Sequence, residues 1–272
     1  MKGAIIGDIV GSVYEFHNIK TTEFKFLTSR NFITDDTVMT VATAKALLEF
    51  PDPENAPDCA LEVAFLRNYL DFGQRYPDMG YGGAFRKWLC AHHPKPYYSC
   101  GNGSAMRVSP VAYAATSLEG ALRMARLSAK VTHNHPDGIA GAEATAGAVY
   151  LALHGASVQE VVEFINRYYP GTTSMKSLEE IRKTYTFDHF AAICEGTVPF
   201  AARCLLEADG KFEETIRYIV SIGGDTDTLG AIGGAIAEAC DRIPDELWDK
   251  VESEYLPLEL AKIVEAFYSK YI

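Results

Sequence analysis

The chain has 272 residues, of which 48% are hydrophobic and 22% charged, an ordinary globular composition with enough chain to bury a sizeable core. Against 25 Lys and Arg stand 36 Asp and Glu, a formal net charge of −11. That argues against general binding of nucleic acid or anionic membrane, both of which demand a basic surface, and an anionic substrate would need cations between it and the protein.

The N-terminus reaches Asp8 too early for a signal peptide. No window approaches the roughly 18 uninterrupted apolar residues of a membrane span, so the expectation is a cytoplasmic protein with no membrane partner. Gly7-Asp8-Ile9-Val10-Gly11-Ser12-Val13-Tyr14-Glu15 reads as a glycine-rich junction. No Gly-Lys-Ser/Thr follows, so it is not a P-loop, and spacing alone leaves Glu15 an ordinary surface glutamate.

Helical periodicity dominates the rest of the chain. Thr34-Asp35-Asp36-Thr37 introduces a helix over 37–50. Asp and Thr are favoured at helix starts, but capping needs only one acceptor. Two adjacent carboxylates flanked by hydroxyls repel each other unless a cation separates them. Beyond a helix over 58–73 and a loop holding His92 and His93 comes Gly101-Asn102-Gly103-Ser104-Ala105-Met106-Arg107, leading into a helical stretch. It is either a plain glycine turn or a set of N–H groups that a helix dipole turns toward a phosphate.

The next helices span 119–130 and 138–154, with Thr132-His133-Asn134-His135-Pro136-Asp137 between them. His-x-His has no evident third ligand, so this segment reads as a polar cap or substrate-contacting loop. Helices over 157–168, 177–185, 188–207 and 212–221 follow. In the first of these Val158, Val161, Val162 and Ile165 face opposite Gln159, Glu160 and Glu163. Ser157 and Ser177 read as N-caps, the latter forming a capping box with Glu180.

Gly223-Gly224-Asp225-Thr226-Asp227-Thr228 repeats the pattern of paired carboxylates and hydroxyls before a helix over 228–240. Its Gly-Gly permits a tight turn, and the small residues of Gly230-Ala231-Ile232-Gly233-Gly234-Ala235 predict a buried central helix against which others pack closely. Helices over 244–250 and 257–271 complete the chain. All-oxygen clusters suit hard ions, Mg²⁺ first, with Mn²⁺ or Ca²⁺ also compatible, and two such clusters brought together would hold a pair of ions. The six cysteines contain no C-x-x-C pair, and Cys194, Cys204 and Cys240 read as core thiols. Without alternating strand patterns or a long polar linker, the expectation is an all-α protein with one domain over 1–272.

Five segments in order resemble the ADP-ribosylglycohydrolase family: Gly7 to Glu15, Thr34 to Met39, Gly101 to Arg107, Thr132 to Pro136, and Gly223 to Thr228. The resemblance implies a compact orthogonal helix bundle with two divalent ions, Mg²⁺ or Mn²⁺, in a central cleft. It makes Thr34, Asp35, Asp36, Asp225, Asp227 and Thr228 the metal ligands, and Glu15 the carboxylate beside the scissile bond. The loop of Gly101, Asn102, Gly103, Ser104 and Met106 would bind the diphosphate, and His135 falls near the ADP-ribose. The implied activity is hydrolysis of an N- or O-glycosidic bond between ADP-ribose and a protein or small-molecule acceptor. The resemblance leaves the linkage and the oligomeric state open, the compact chain leaning to arginine. The rival readings are a metal-dependent nucleotide phosphohydrolase and a non-catalytic ADP-ribose-binding protein; the complete ligand set argues against the second.

Overall fold

The structure, a computed structural model, describes residues 1–171, 177–186, 188 and 190–272. Its helices in chain order are α1 (Lys2–Gly11), α2 (Asp35–Leu48), α3 (Asp58–Arg75), α4 (Gly83–Leu89), α5 (Gly103–Met106), α6 (Ser109–Ala114), α7 (Leu118–Lys130) and α8 (Pro136–Leu153). There follow α9 (Val158–Tyr168), α10 (Leu178–Thr184), α11 (Cys194–Glu207), α12 (Phe212–Ile222), α13 (Thr226–Cys240), α14 (Asp245–Glu254) and α15 (Leu258–Tyr271). The chain is all-α: among the described residues there is no strand, only an isolated bridge between Gly101 and Ile193. No described helix is long and apolar enough to cross a membrane.

The arrangement turns on α1 and α13, the most extensively packed helix pair. Gly3, Gly7 and Gly11 recur every fourth residue on α1, and Thr226, Gly230 and Gly234 do the same on α13. A Cβ on Gly7 would lie 1.9 Å from the Gly230 carbonyl oxygen, and one on Gly230 would lie 2.3 Å from that of Gly7. Gly3 and Gly234 oppose each other likewise, at 2.2 Å in both directions. The helices therefore run antiparallel with backbone on backbone. Each interior glycine costs about 1 kcal/mol of helix propensity, offset here by a contact that no other residue permits. This corrects the expectation of a glycine junction over residues 7–15: the glycines serve helix packing, and α1 runs through Gly11.

Other differences are local. The helix expected over 188–207 begins at Cys194, because Asp188 Oδ1 accepts from the N–H groups of Phe190 (2.9 Å) and Ala191 (3.2 Å) and bends the chain first; position 189 lies outside the described residues. Helices α4, α5 and α6 are too short to leave a periodic signature. Both serine caps are present, each as a full capping box. Cys194 and Cys204 are buried, whereas Cys240, expected in the core, is only half-buried.

Candidate functional site

The antiparallel seam sets the site. Gly11 lies against Thr226, so Asp8, one turn earlier on α1, is held beside the first turn of α13. Asp8 is fully buried and binds the start of α2: its Oδ2 accepts from the N–H groups of Thr34 and Thr37 (3.0 Å each) and from Thr37 Oγ1, and its Oδ1 from Thr34 Oγ1 (2.8 Å). These donors include N–H groups that the first turn of a helix leaves free. Asp8 therefore docks α2, with Thr34, Asp35 and Asp36, onto α1 and α13.

The two carboxylate clusters converge. Asp8, Asp36 and Asp227 each offer an oxygen within 4.8 Å of the others, as do Glu15, Asp225 and Asp227. The hydroxyls of Thr34 and Thr228 lie 3.2 and 3.3 Å from the same Asp36 oxygen. Asp36 Oδ1 is buried and has no hydrogen-bond partner. Asp35 faces the same cavity, with its N–H donated to the Met79 carbonyl (2.7 Å). Among the described residues none of these carboxylates takes part in an ion pair.

Burial, reinforced by the neighbouring negative charges, pushes Asp35, Asp36 and Asp227 well above the usual carboxylate range. Burial also raises Glu15 to about 7, aided by the charge of Asp225, and raises Asp8 to about 6 against the pull of its hydroxyl and N–H donors. A buried set of acids with no cation among the described residues paired to it, and with an orphaned oxygen, has the chemistry that could hold a hard divalent ion. The residues fit the group. Asp8 has its Oδ2 saturated by three donors and orients the others more than it supplies a free oxygen.

These groups line a cavity of about 1090 Å³, beyond the roughly 300–1,000 Å³ usual for small-molecule sites and roomy enough for a dinucleotide. Glu15, Thr34, Asp35, Asp36, Asp225, Asp227, Thr228, Gly101, Asn102, Gly103 and Met106 all line it. Gly101 N–H is taken by Ser99 Oγ (3.0 Å) and Asn102 N–H by Ala192 O (3.1 Å). The hydrogen bonds of the described residues leave the N–H groups of Gly103 and Ser104 open. The Asn102 side chain has a further duty, donating to Asp225 Oδ2 at 2.8 Å. Ser104 is buried outside the lining, its hydroxyl given to Gly138 O at 2.6 Å.

His135 also lies outside the lining. It is the N-cap of α8, its Nδ1 accepting from Asp137 N–H at 3.1 Å, as the following Pro136 at the first helical position required. Among the described residues, the imidazole that lines the cavity is that of His133. A Cβ on Gly103 would come within 3.1 Å of its Nε2, and its Nδ1 lies 2.7 Å from Thr132 Oγ1. Burial and the Arg107 guanidinium push His133 well below the ordinary imidazole range, so it is neutral. Arg107 is itself buried, stacked 4.0 Å over Tyr69 and bonded to Thr132 Oγ1 at 2.7 Å. Sequence alone gives His133 no more than a place in a cap or substrate-contacting loop and assigns no individual role to Arg107 or Asp8; no spacing near Asp8 reveals that it docks α2.

The family model described as ADP-ribosylglycohydrolase matches residues 1–271. The chain is 28% identical to ADP-ribosylhydrolase ARH3 of Homo sapiens, covering 92% of this chain and 87% of that protein. It is 24% identical to the ADP-ribosyl-(dinitrogen reductase) glycohydrolase of Rhodospirillum rubrum, over 97% and 92% of the two chains. A solved chain titled "ADP-ribosylglycohydrolase-related protein complex" shares the fold with TM-score 0.65 and 23% identity, covering 99% of this chain and 95% of that one.

Proposed function

The chain belongs to the ADP-ribosylglycohydrolase family, and on that premise we propose that it releases ADP-ribose from an acceptor by cleaving the glycosidic bond at the distal ribose, using divalent cations. The observation that carries the proposal is the convergence of Asp36, Asp225, Asp227 and Glu15 on one cavity, with Asp36 Oδ1 buried and unpartnered. Thr34, Asp35, Asp36, Asp225, Asp227 and Thr228 would hold two ions, Mg²⁺ first. Such ions, when bound, supply the positive charge that orients an anionic substrate and acidifies a water.

The remaining work falls to the chain's own groups. Cleavage at an anomeric carbon passes through an oxocarbenium-like state, which nearby carboxylates stabilise. Glu15, half-buried and raised to about 7, can hold or release a proton near neutral pH. It is therefore suited to positioning or deprotonating the attacking water, or to protonating the leaving group. The free N–H group of Gly103, which lines the cavity, would receive the diphosphate, with Met106 and neutral His133 walling the same end.

The test is to incubate the protein with arginine- and serine-linked ADP-ribosyl peptides, with Mg²⁺ or with chelator, and to identify the product by mass spectrometry. Free ADP-ribose, formed only with metal, is expected. AMP or inorganic phosphate would point to a nucleotide phosphohydrolase, and no turnover on any linkage would sink the catalytic reading.

A further inference from the structure

We infer that Asn18 is a positioning residue that sets Glu15 against the Asp225 end of the site, with Lys20 as the second arm of the same clasp. The inference rests on the reading of Glu15 as the carboxylate that acts at the scissile bond. Glu15 lies past the end of α1, in a stretch of turns with no regular element before α2. Its opposite wall, Asp225, follows a glycine pair with φ of +75° and +79°. Glu15 has no helix hydrogen bonds to hold it, and the glycine pair breaks the chain between α12 and Asp225, the N-cap of α13. Both segments lack a rigid frame, yet a reacting carboxylate must be kept to a fraction of an ångström.

Asn18 supplies what both lack. Its Nδ2 donates to the carbonyls of Tyr14 (2.6 Å), Glu15 (2.9 Å) and Gly224 (3.1 Å), and its Oδ1 accepts from Gly224 N–H (2.8 Å). One side chain thus closes the Glu15 turn on itself and ties it to the residue before Asp225. Lys20 Nζ repeats the tie one step away, donating to Ile222 O (2.5 Å) and to Tyr185 O (2.9 Å). The glycine pair is shaped to receive the clasp: a Cβ on Gly223 would meet Asn18 Oδ1 at 2.7 Å and Lys20 Nζ at 2.9 Å. Beyond the left-handed backbone, then, any side chain at 223 would strike both arms. Neither Asn18 nor Lys20 lines the cavity, so their effect on turnover runs through the segments they hold, and the double variant separates Glu15 from the Asp225 side.

The test compares the parent, Asn18→Ala, Lys20→Met, Glu15→Gln and the Glu15→Gln/Asn18→Ala double variant. Amide hydrogen exchange in Asn18→Ala should quicken in residues 12–20 and 222–226 and stay unchanged elsewhere. Turnover of ADP-ribosyl peptide should fall by about tenfold to about a hundredfold while ADP-ribose affinity stays within about threefold. In the Glu15→Gln background the same substitution should cost almost nothing further, because the group it positions is gone; a merely structural loss would multiply instead. Lys20→Met should show the same split more weakly, and it decides the matter if Asn18→Ala does not fold. Unchanged exchange, unchanged turnover, or multiplying losses would each overturn the clasp. If the parent releases no ADP-ribose at all, the functional reading fails, and the exchange arm alone decides the clasp.

Discussion

The perturbation that bears most directly on how this fold builds its site is Gly7→Ala, a single methyl outside the cavity lining. Its Cβ would sit 1.9 Å from the Gly230 carbonyl oxygen, where ordinary contact begins at 3.4 Å, so α1 and α13 must part by about 1.5 Å. Neither atom at the clash is the end of a flexible side chain. Overpacking of this kind costs typically about 1–3 kcal/mol. Parting the helices also carries Asp8 away from α2, stretching its 3.0 Å bonds to the N–H groups of Thr34 and Thr37 past hydrogen-bond range. Leaving a buried carboxylate short of donors adds on the order of 1–3 kcal/mol. A total of about 2–6 kcal/mol corresponds to a fall in melting temperature on the order of 10 °C for a chain of this size. Scanning calorimetry with and without Mg²⁺ should show that fall together with a loss of the Mg²⁺-dependent increment, since the cluster opens along with the seam. Gly82→Ala, whose Cβ would meet nothing within 4 Å, is the control and should stay within about 0.5 kcal/mol. If Gly7→Ala melts with the parent and keeps its Mg²⁺ increment, the backbone seam does not hold the site together.

Glu15→Gln, which keeps the shape and removes the titratable carboxyl, should lower kcat about 10²- to 10⁴-fold while ADP-ribose binds within about tenfold of the parent; full turnover would return Glu15 to an ordinary surface residue. Gly103→Leu should weaken ADP-ribose binding in a calorimetric titration while Mg²⁺ binding persists, because a Cβ there already lies 3.1 Å from His133 Nε2 and the rest of the side chain must enter the cavity; unchanged affinity would make the loop a turn only. Chelated protein should grow more stable as pH falls from about 8 toward about 5, because Glu15 near 7, Asp8 near 6 and the raised Asp35, Asp36 and Asp227 bind protons more tightly folded than unfolded. Saturating Mg²⁺ should abolish that gain, since ions and protons compete for the same oxygens, and a melting temperature in chelator that falls over this range would refute the shared cause.

How much of the molecule is legible in its sequence depends on where each interaction lies along the chain. Ser177 with Glu180, or the apolar stripe of α9, are local: every partner lies within one or two turns, and periodicity alone reveals them. The paired carboxylates at Asp35-Asp36 and Asp225-x-Asp227 are legible for another reason, since like charges crowded at a helix start are costly unless something outside the chain neutralises them. The seam of α1 on α13 joins residues more than two hundred positions apart, so Gly3, Gly7 and Gly11 look like loop residues until Gly230 and Gly234 are set against them. Asp8 inherits that invisibility: its importance lies in docking α2, a relation no spacing in the first fifteen residues expresses.

The two histidines show that chemistry can sometimes settle what spacing leaves ambiguous. Both residues of Thr132-His133-Asn134-His135-Pro136 have the same chemistry, but Pro136 at the first helical position commits the residue before it to capping, and His135 spends Nδ1 on the Asp137 N–H. His133, two residues earlier, sits where α7 has ended and α8 has not begun, and the chain turns its ring inward between Arg107 and Gly103. The same division runs through the Gly101 loop. Asn102 gives its side chain to Asp225 and its N–H to Ala192, and Ser104 gives its hydroxyl to Gly138. What remains for a ligand is the backbone at Gly103, since Ser104 is fully buried outside the cavity. A motif residue can therefore matter by holding the site's frame, leaving the contact itself to its neighbour.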